Sequence, residues 1–245
     1  MNDKSKYSKK QAVDRARSKH AAVASHNDVQ AFLGKVAALP KSTGTESRLV
    51  FALDATASRQ LAWDRASQLQ KEMFISTQSM GGLRLQLCYF QGLATFYHSA
   101  WQTDADQLLA LMSRIRCAAG LTQIQRLLKH VIAENSRQKI KAVIYIGDAM
   151  EENIDRLCHL AGQLGLLRVP LFIFQEGLDP VARGAYQQMA YLSGGAWCQF
   201  DASSIDQLRD LLKAVAIYVA GGLGALEDFS KTSHKSVKLL GSQLK

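Results

Sequence analysis

The chain has 245 residues, of which 47% are hydrophobic, so its composition is that of a globular protein with one substantial core and not of a disordered or fibrous one. Its four cysteines are far apart and lack the CxxC or Cys/His spacing of a zinc site, which favours reduced, buried thiols in a cytoplasmic protein. The formal charge of +9 is concentrated near the ends, because the first 41 residues alone hold nine Lys or Arg against three Asp or Glu.

These 41 residues are predicted to form a basic arm followed by a short helix. Residues 1–27 lack apolar periodicity and contain no apolar run typical of a secretory signal. From Asp28, apolar residues recur at helical spacing until Pro40 ends the pattern. A basic arm can contact nucleic acid or an anionic membrane, but without interleaved aromatic residues or a nucleic-acid-binding motif we do not expect nucleic-acid binding.

Strands and helices alternate from Arg48 onward. Short apolar runs predict six strands, at residues 48–53, 83–90, 93–98, 141–147, 169–174 and 196–200. Helical periodicity predicts helices at residues 59–74, 104–117, 121–134, 153–164, 181–192 and 205–221.

The order of these elements predicts the fold. Strands that alternate with helices require right-handed crossovers and a sheet covered on both faces. The two-residue connection Gln91-Gly92 instead predicts a hairpin, which makes the third strand an antiparallel edge. We therefore predict an α/β, doubly wound (Rossmann-like), six-stranded, mostly parallel sheet with one antiparallel edge strand and helices on both faces. This domain covers residues 42–225, and residues 226–245 form a basic C-terminal tail. The apolar stretch at 214–226 is interrupted by glycines and too short to span a bilayer, so no transmembrane segment is expected.

Three loops, which follow residues 53, 117 and 147, hold hard oxygen ligands. The first loop reads Asp54-Ala-Thr56-Ala-Ser58, and alternate residues point the same way in an extended chain. The second, Gly120-Leu121-Thr122, provides a hydroxyl after a glycine that lets the backbone come close, and the third provides Asp148. Two carboxylates, three hydroxyls and water make an octahedral oxygen site of the kind that Mg²⁺ or Mn²⁺ prefers.

These motifs resemble the metal-ion-dependent adhesion site (MIDAS) of von Willebrand factor A (VWA) domains, whose first loop is Asp-x-Ser-x-Ser. The resemblance covers about residues 48–221, with every motif residue in the expected order and loop. Thr56 replaces the first Ser and keeps its hydroxyl. The family often has Gly-Gly-Thr in the second loop and Thr-Asp-Gly in the third, where this chain reads Ala119-Gly120-Leu121-Thr122 and Gly147-Asp148-Ala149.

The resemblance implies that Thr56, Ser58 and, in some states, Thr122 contact the cation directly. Asp54 and Asp148 then act through water or by hydrogen bonding to the ligands. A cation with so few direct protein charges stays electrophilic, so an Asp or Glu of a protein partner can complete its shell.

The resemblance therefore implies a non-enzymatic, cation-dependent protein-interaction module of the intracellular bacterial type. The expected cofactor is Mg²⁺, with Mn²⁺ or Ca²⁺ as alternatives. The expected partner offers an acidic ligand, and an ATPase or chaperone-like machine is one candidate, since intracellular bacterial relatives often work with such machines. The sequence leaves the oligomeric state open.

Several alternatives stay open at this point. Asp54 or Ser58 could simply cap the following helix, because such residues are common in loops. A haloacid-dehalogenase-like phosphohydrolase would need a second Asp as acid/base where this chain has Thr56. The chain could also be a scaffold with a vestigial metal site that acts through its basic tails. Glu151 and Glu152 could rim the site, but they fit better as first residues of the next helix, where the macrodipole favours them.

Overall fold

Six strands form a single sheet in the computed structural model, which describes residues 47–55, 82–200 and 205–232. The strands are β1 (Arg48–Asp54), β2 (Arg84–Gln91), β3 (Thr95–His98), β4 (Ala142–Gly147), β5 (Leu171–Glu176) and β6 (Ala196–Phe200). The helices of the described residues are α1 (Ala105–Met112), α2 (Ile124–Arg137), α3 (Ile154–Leu166), α4 (Pro180–Leu192) and α5 (Ile205–Thr232). The predicted alternation of strands and helices is confirmed over these residues.

The strand order is β3-β2-β1-β4-β5-β6. All neighbouring strands are parallel except β2 and β3, which are antiparallel, so the predicted antiparallel edge strand is confirmed. From β1 the chain builds outward through β2 and β3 on one side, and then returns to place β4, β5 and β6 on the other. The winding direction therefore reverses between β1 and β4, whose carboxyl ends form the crevice where doubly wound sheets bind ligands.

Helices cover both faces of the sheet, as predicted. One face packs against α1 and α5 through residues such as Leu108 and Val215. The other face packs against α2, α3 and α4 through residues such as Leu128, Leu157 and Met189. The central strands β1 and β4 are buried along their whole length, which explains why both are continuous apolar runs in the sequence.

Two helices that border the second loop are bounded differently from the prediction. α1 ends at Met112 instead of residue 117, because the following segment runs to Ala118, whose N–H donates to the carbonyl of Ala55. α2 begins at Ile124 instead of residue 121. Its start is delayed because Thr122 is held by the loop that follows β4.

The last helix is longer than predicted, since α5 continues past residue 221 to Thr232. Its internal glycines each cost roughly 1 kcal/mol relative to alanine, which a helix of 28 residues tolerates. Within the described residues, no helix combines the length and the apolar character needed to cross a membrane. The helices predicted at 28–39 and 59–74, the basic arm and the end of the tail lie outside the described residues.

Candidate metal centre

The two predicted carboxylates follow neighbouring strands at the carboxyl edge of the sheet. Asp54 is the last residue of β1, and Asp148 directly follows β4. The parallel register pairs Leu53 with Ile146, so the two carboxylates follow neighbouring strands at nearly the same level. The Asp54 side chain is almost fully buried and that of Asp148 is half-buried, with one oxygen of each, Oδ2 and Oδ1 respectively, screened from solvent.

The second loop is tied to the first loop and to the β2–β3 hairpin. Ala118 N donates to Ala55 O at 3.0 Å, and Leu121 N donates to Gly92 O at 3.2 Å. Gly120 lies so close to the hairpin that a Cβ at this position would be 2.1 Å from Gly92 O. Gly120 therefore permits a close backbone approach, as expected of this glycine, but the approach is to the hairpin.

Thr122 is joined to the third loop by three hydrogen bonds with Glu151. Its hydroxyl donates to Glu151 Oε2 at 2.8 Å, and its backbone N–H donates to the same oxygen at 3.1 Å. The backbone N–H of Glu151 in turn lies 3.3 Å from Thr122 Oγ1. The side chain of Thr122 is almost completely buried. The structure therefore brings the three described site residues, Asp54, Thr122 and Asp148, to one edge of the sheet.

The neighbouring carboxylate, Glu152, caps α2. It accepts hydrogen bonds from Ile124 N at 2.5 Å and from Gln125 N at 2.9 Å, two of the N–H groups that a helix leaves without partners at its start. Gln123, which precedes α2, makes no side-chain cap of its own. Burial raises the pKa of Glu152 and the charge of Glu151 adds to this, although the hydrogen bonds from the backbone N–H groups of Gln125 and Ile124 oppose the shift.

The expectation that Glu151 and Glu152 serve the start of their own helix is wrong. That helix, α3, begins at Ile154, and its cap is Asn153, whose side chain accepts from Arg156 N at 3.0 Å. The acidic pair instead binds the start of α2, which lies nearly 30 positions earlier in the chain. Two features of the sequence could have indicated this contact. Gln123 is not a capping residue for α2, and the acidic pair stands just before α3, which already has Asn153 as its cap.

The third loop is held from below by two buried tyrosines. Tyr186 Oη donates to Ala149 O at 2.5 Å and lies 3.3 Å from Tyr145 Oη. Gly147 packs over this pair, since a Cβ there would lie 2.3 Å from Tyr145 Oη. The glycine before Asp148, which departs from the usual family pattern, is therefore required by the packing beneath the loop.

The residues present fit a hard divalent cation. Two carboxylates and a hydroxyl are oxygen ligands of the kind that Mg²⁺, Mn²⁺ and Ca²⁺ take. Thr56 and Ser58, the other two predicted ligands, lie outside the described residues. Within the described ranges, no three or more His, Cys, Asp or Glu side chains group closely enough to hold a metal ion.

Two exposed leucines flank the site. Leu121 directly precedes Thr122 and is 51% exposed, and Leu93 on the hairpin beside it is 79% exposed. The hydrogen bond from Leu121 N to Gly92 O places the two leucines on neighbouring segments.

No protein-family profile matches the chain, and no curated protein matches it in sequence. Solved structures do match its fold. The SpRpn10 VWA domain superposes with a TM-score of 0.55, at 12% sequence identity, over 69% of this chain and 94% of that domain. The chain has a VWA fold.

Two further structures share this VWA fold. The open conformation of the pilus adhesin SpaC from Lactobacillus rhamnosus GG has a TM-score of 0.58 and 13% identity, covering 78% of this chain and 31% of the adhesin. The manganese-loaded TRAP protein of Plasmodium vivax has a TM-score of 0.51 and 16% identity, covering 71% of this chain and 76% of TRAP. At these identities the likeness concerns the fold alone. The VWA fold that the sequence motifs implied is therefore confirmed.

Proposed function

We propose that the chain is a non-enzymatic protein-interaction module that uses a divalent cation to bind an acidic residue of its partner. The cation would be held by Asp54, Thr56, Ser58, Thr122 and Asp148. The observation that carries the proposal is that Asp54 and Asp148 follow neighbouring strands where the winding of the sheet reverses, and that Thr122 is hydrogen-bonded to Glu151 in the loop after the second of these strands. A VWA-fold protein in its manganese-loaded form provides a precedent for a divalent cation on this fold.

The donor set supports binding over catalysis. A bound Mg²⁺ or Mn²⁺ would supply an electrophilic position that a carboxylate can complete. Neutral hydroxyl ligands leave more of the positive charge on the cation than carboxylates would, so an acidic partner residue gains the most. For a phosphohydrolase, Asp54 would have to reach a substrate as nucleophile, yet it is almost fully buried, and Thr56 provides no second carboxylate for acid/base work.

The exposed leucines support a protein as the partner. Leu93 and Leu121 offer apolar contact area beside the site, which a free carboxylate ligand or a small metabolite would not use. The favoured partner surface is therefore an exposed Asp or Glu with apolar neighbours. An ATPase or chaperone-like machine could carry such a surface.

Metal-dependent capture tests this proposal. The full chain is immobilised, and cell extract is passed over it in the presence of Mg²⁺ or of EDTA, with an Asp148→Ala chain in parallel. The proposal predicts a protein that is retained with Mg²⁺, released by EDTA and not retained by D148A. Replacing one surface Asp or Glu of that protein by Ala should then abolish its retention. Retention that survives both EDTA and D148A would contradict the proposal and would favour a scaffold that acts through its tails.

A further inference from the structure

We infer that Glu151 is a positioning residue of the cation site. In this inference, which rests on the proposed function, its carboxylate fixes Thr122 so that an oxygen lone pair of the hydroxyl is available to the cation. Glu151 lies outside the sequence motif that predicted the site. Its role follows from the contacts of its side chain.

The hydrogen bonds that the Thr122 hydroxyl makes with Glu151 leave one lone pair of its oxygen for a cation. A hydroxyl has one proton to donate and two lone pairs to accept with. The proton of Thr122 is committed to Glu151 Oε2, and one lone pair faces the backbone N–H of Glu151. Because the proton is held by a carboxylate, it cannot turn toward a cation, and the charged acceptor makes the hydroxyl oxygen a stronger ligand.

Glu151 acts through Thr122 and does not join the carboxylates as a ligand. Its Oε2 already accepts from both the backbone and the side chain of Thr122. Asp54, Asp148 and Glu151 are all described residues, and they do not form a close group of three acidic side chains. The charge of Glu151 therefore reaches the site mainly by way of the threonine it holds.

Glu152 provides a matched control in the same loop. It carries the same charge one position later and also binds the start of α2, but its two oxygens are occupied by the backbone N–H groups of Ile124 and Gln125. The Thr122 hydroxyl is also within its reach, but it makes its 2.8 Å hydrogen bond with Glu151. Loss of Glu152 should therefore weaken the start of α2 without releasing the threonine.

Calorimetric titration of the metal-stripped full chain with Mn²⁺ tests the inference in the wild type and in Glu151→Ala, Glu151→Gln and Glu152→Gln variants. We expect E151A to bind Mn²⁺ about 10–100-fold more weakly, the usual effect of losing a residue that orients a metal ligand. E151Q should lose less, because its amide oxygen can still accept from Thr122. E152Q should bind Mn²⁺ nearly as the wild type does, although its thermal unfolding should begin earlier. Thermal unfolding of each variant shows which of them are folded, and if E151A is not, E151Q against E152Q makes the same comparison.

The outcomes separate this inference from the proposed function. Wild-type binding that E151A leaves unchanged would overturn the positioning role and leave the site intact. Two results would show that the charge of the acidic pair matters and the fixing of Thr122 does not. One is an equal loss of Mn²⁺ affinity in E151A and E151Q, and the other is a loss in E152Q as large as that in E151A. If the wild type binds no Mn²⁺, the proposed site itself fails, and this inference fails with it.

Discussion

Gly120 and Gly92 meet backbone to backbone, so closely that any side chain on Gly120 would overlap the Gly92 peptide. This contact joins the second loop of the site to the hairpin of the edge strand. Gly92 itself has a φ of 60°, in the left-handed region that favours glycine, so the hairpin has little freedom to move aside. The position of Thr122 therefore depends on two residues that carry no side-chain chemistry.

Gly120→Ala should displace the second loop and weaken both the site and the fold. A methyl group forced against the Gly92 carbonyl requires a backbone shift, at a cost of about 1–3 kcal/mol. Urea unfolding should show this loss, and calorimetry should show weaker Mg²⁺ binding. Gly162→Ala is the control, since nothing lies within 4 Å of a Cβ there and the position is inside α3. That change should stabilise the chain by about 0.5–1 kcal/mol and leave metal binding alone. Equal behaviour of the two variants would contradict the account of the second loop.

Leu121→Asp should reduce partner capture without reducing metal affinity. The side chain is half-exposed beside Thr122, so a carboxylate there removes apolar contact area and repels an acidic partner residue. The matched control is Leu166→Asp at the end of α3, where the side chain is 87% exposed at the opposite edge of the sheet. Capture measured with both variants should fall only for L121D. Equal capture by L121D and the wild type would remove the leucines from the partner surface.

Stability should fall as the pH is lowered from about 6.5 toward 4, because of His130. Burial, and then the charge of His98 stacked on it at 4.3 Å, lowers the pKa of His130 to about 4, against an ordinary value of 6.5. Glu134 opposes this shift and Arg137 adds to it, while Gln86 Oε1 lies 2.9 Å from His130 Nε2. Since the folded pKa is depressed, the unfolded chain binds the proton more readily between these two pH values, and folding loses stability there.

Thermal unfolding between pH 7 and pH 4 checks this window. Each 1 kcal/mol lost should lower Tm by about 2–4 °C in a domain of this size. His130→Gln should flatten the curve, because it keeps a polar partner for Gln86 but takes up no proton. His159→Gln, on the exposed side of α3, should follow the wild type. If Tm falls with pH in H130Q as it does in the wild type, His130 does not titrate in this window.

Glu134→Ala should destabilise the chain by about 3 kcal/mol, because it leaves a buried guanidinium without its counter-charge. The side chain of Arg48 is almost fully buried, lies 3.6 Å over the Trp101 ring and pairs with Glu134 at 3.4 Å. Burial raises the pKa of Glu134, but hydrogen bonds from Trp101 and Arg137 bring it below its ordinary value overall. Urea unfolding measures the loss, and the double variant Arg48→Met with Glu134→Leu should recover part of it. A double variant less stable than E134A would contradict this explanation.

The elements that depend on local chemistry could be predicted from the sequence. The buried strands β1 and β4 are apolar runs, and the short connection at Gly92 indicated the hairpin. The structure corrects its length, because Gln91 belongs to β2 and pairs with Thr95, so that the turn runs from Gly92 to Ala94. Because parallel strands bring their carboxyl ends to one edge, the order of the elements was enough to place Asp54 and Asp148 at the same edge of the sheet.

The features that depend on tertiary contacts could not be predicted in this way. Nothing near Thr122 in the chain indicates that Glu151 binds it, and the delayed start of α2 follows from that contact. The macrodipole argument was applied to the wrong helix, because Glu152 accepts hydrogen bonds from the start of α2, which is distant in sequence, and not from the start of α3. The extension of α5 past residue 221 was missed because glycines weaken a helix without ending it.

The central claim is that Asp148 and the residues of the first loop hold a divalent cation. Calorimetric titration of the metal-stripped full chain with Mg²⁺ tests it most directly, beside Asp148→Ala, Ser58→Ala and a control, Asp104→Ala, which removes a carboxylate at the opposite edge of the sheet. The account predicts saturable binding in the wild type and in D104A that is lost in D148A and S58A. Absence of binding in the wild type at millimolar Mg²⁺ and Mn²⁺, or binding that D148A and S58A retain in full, would contradict it.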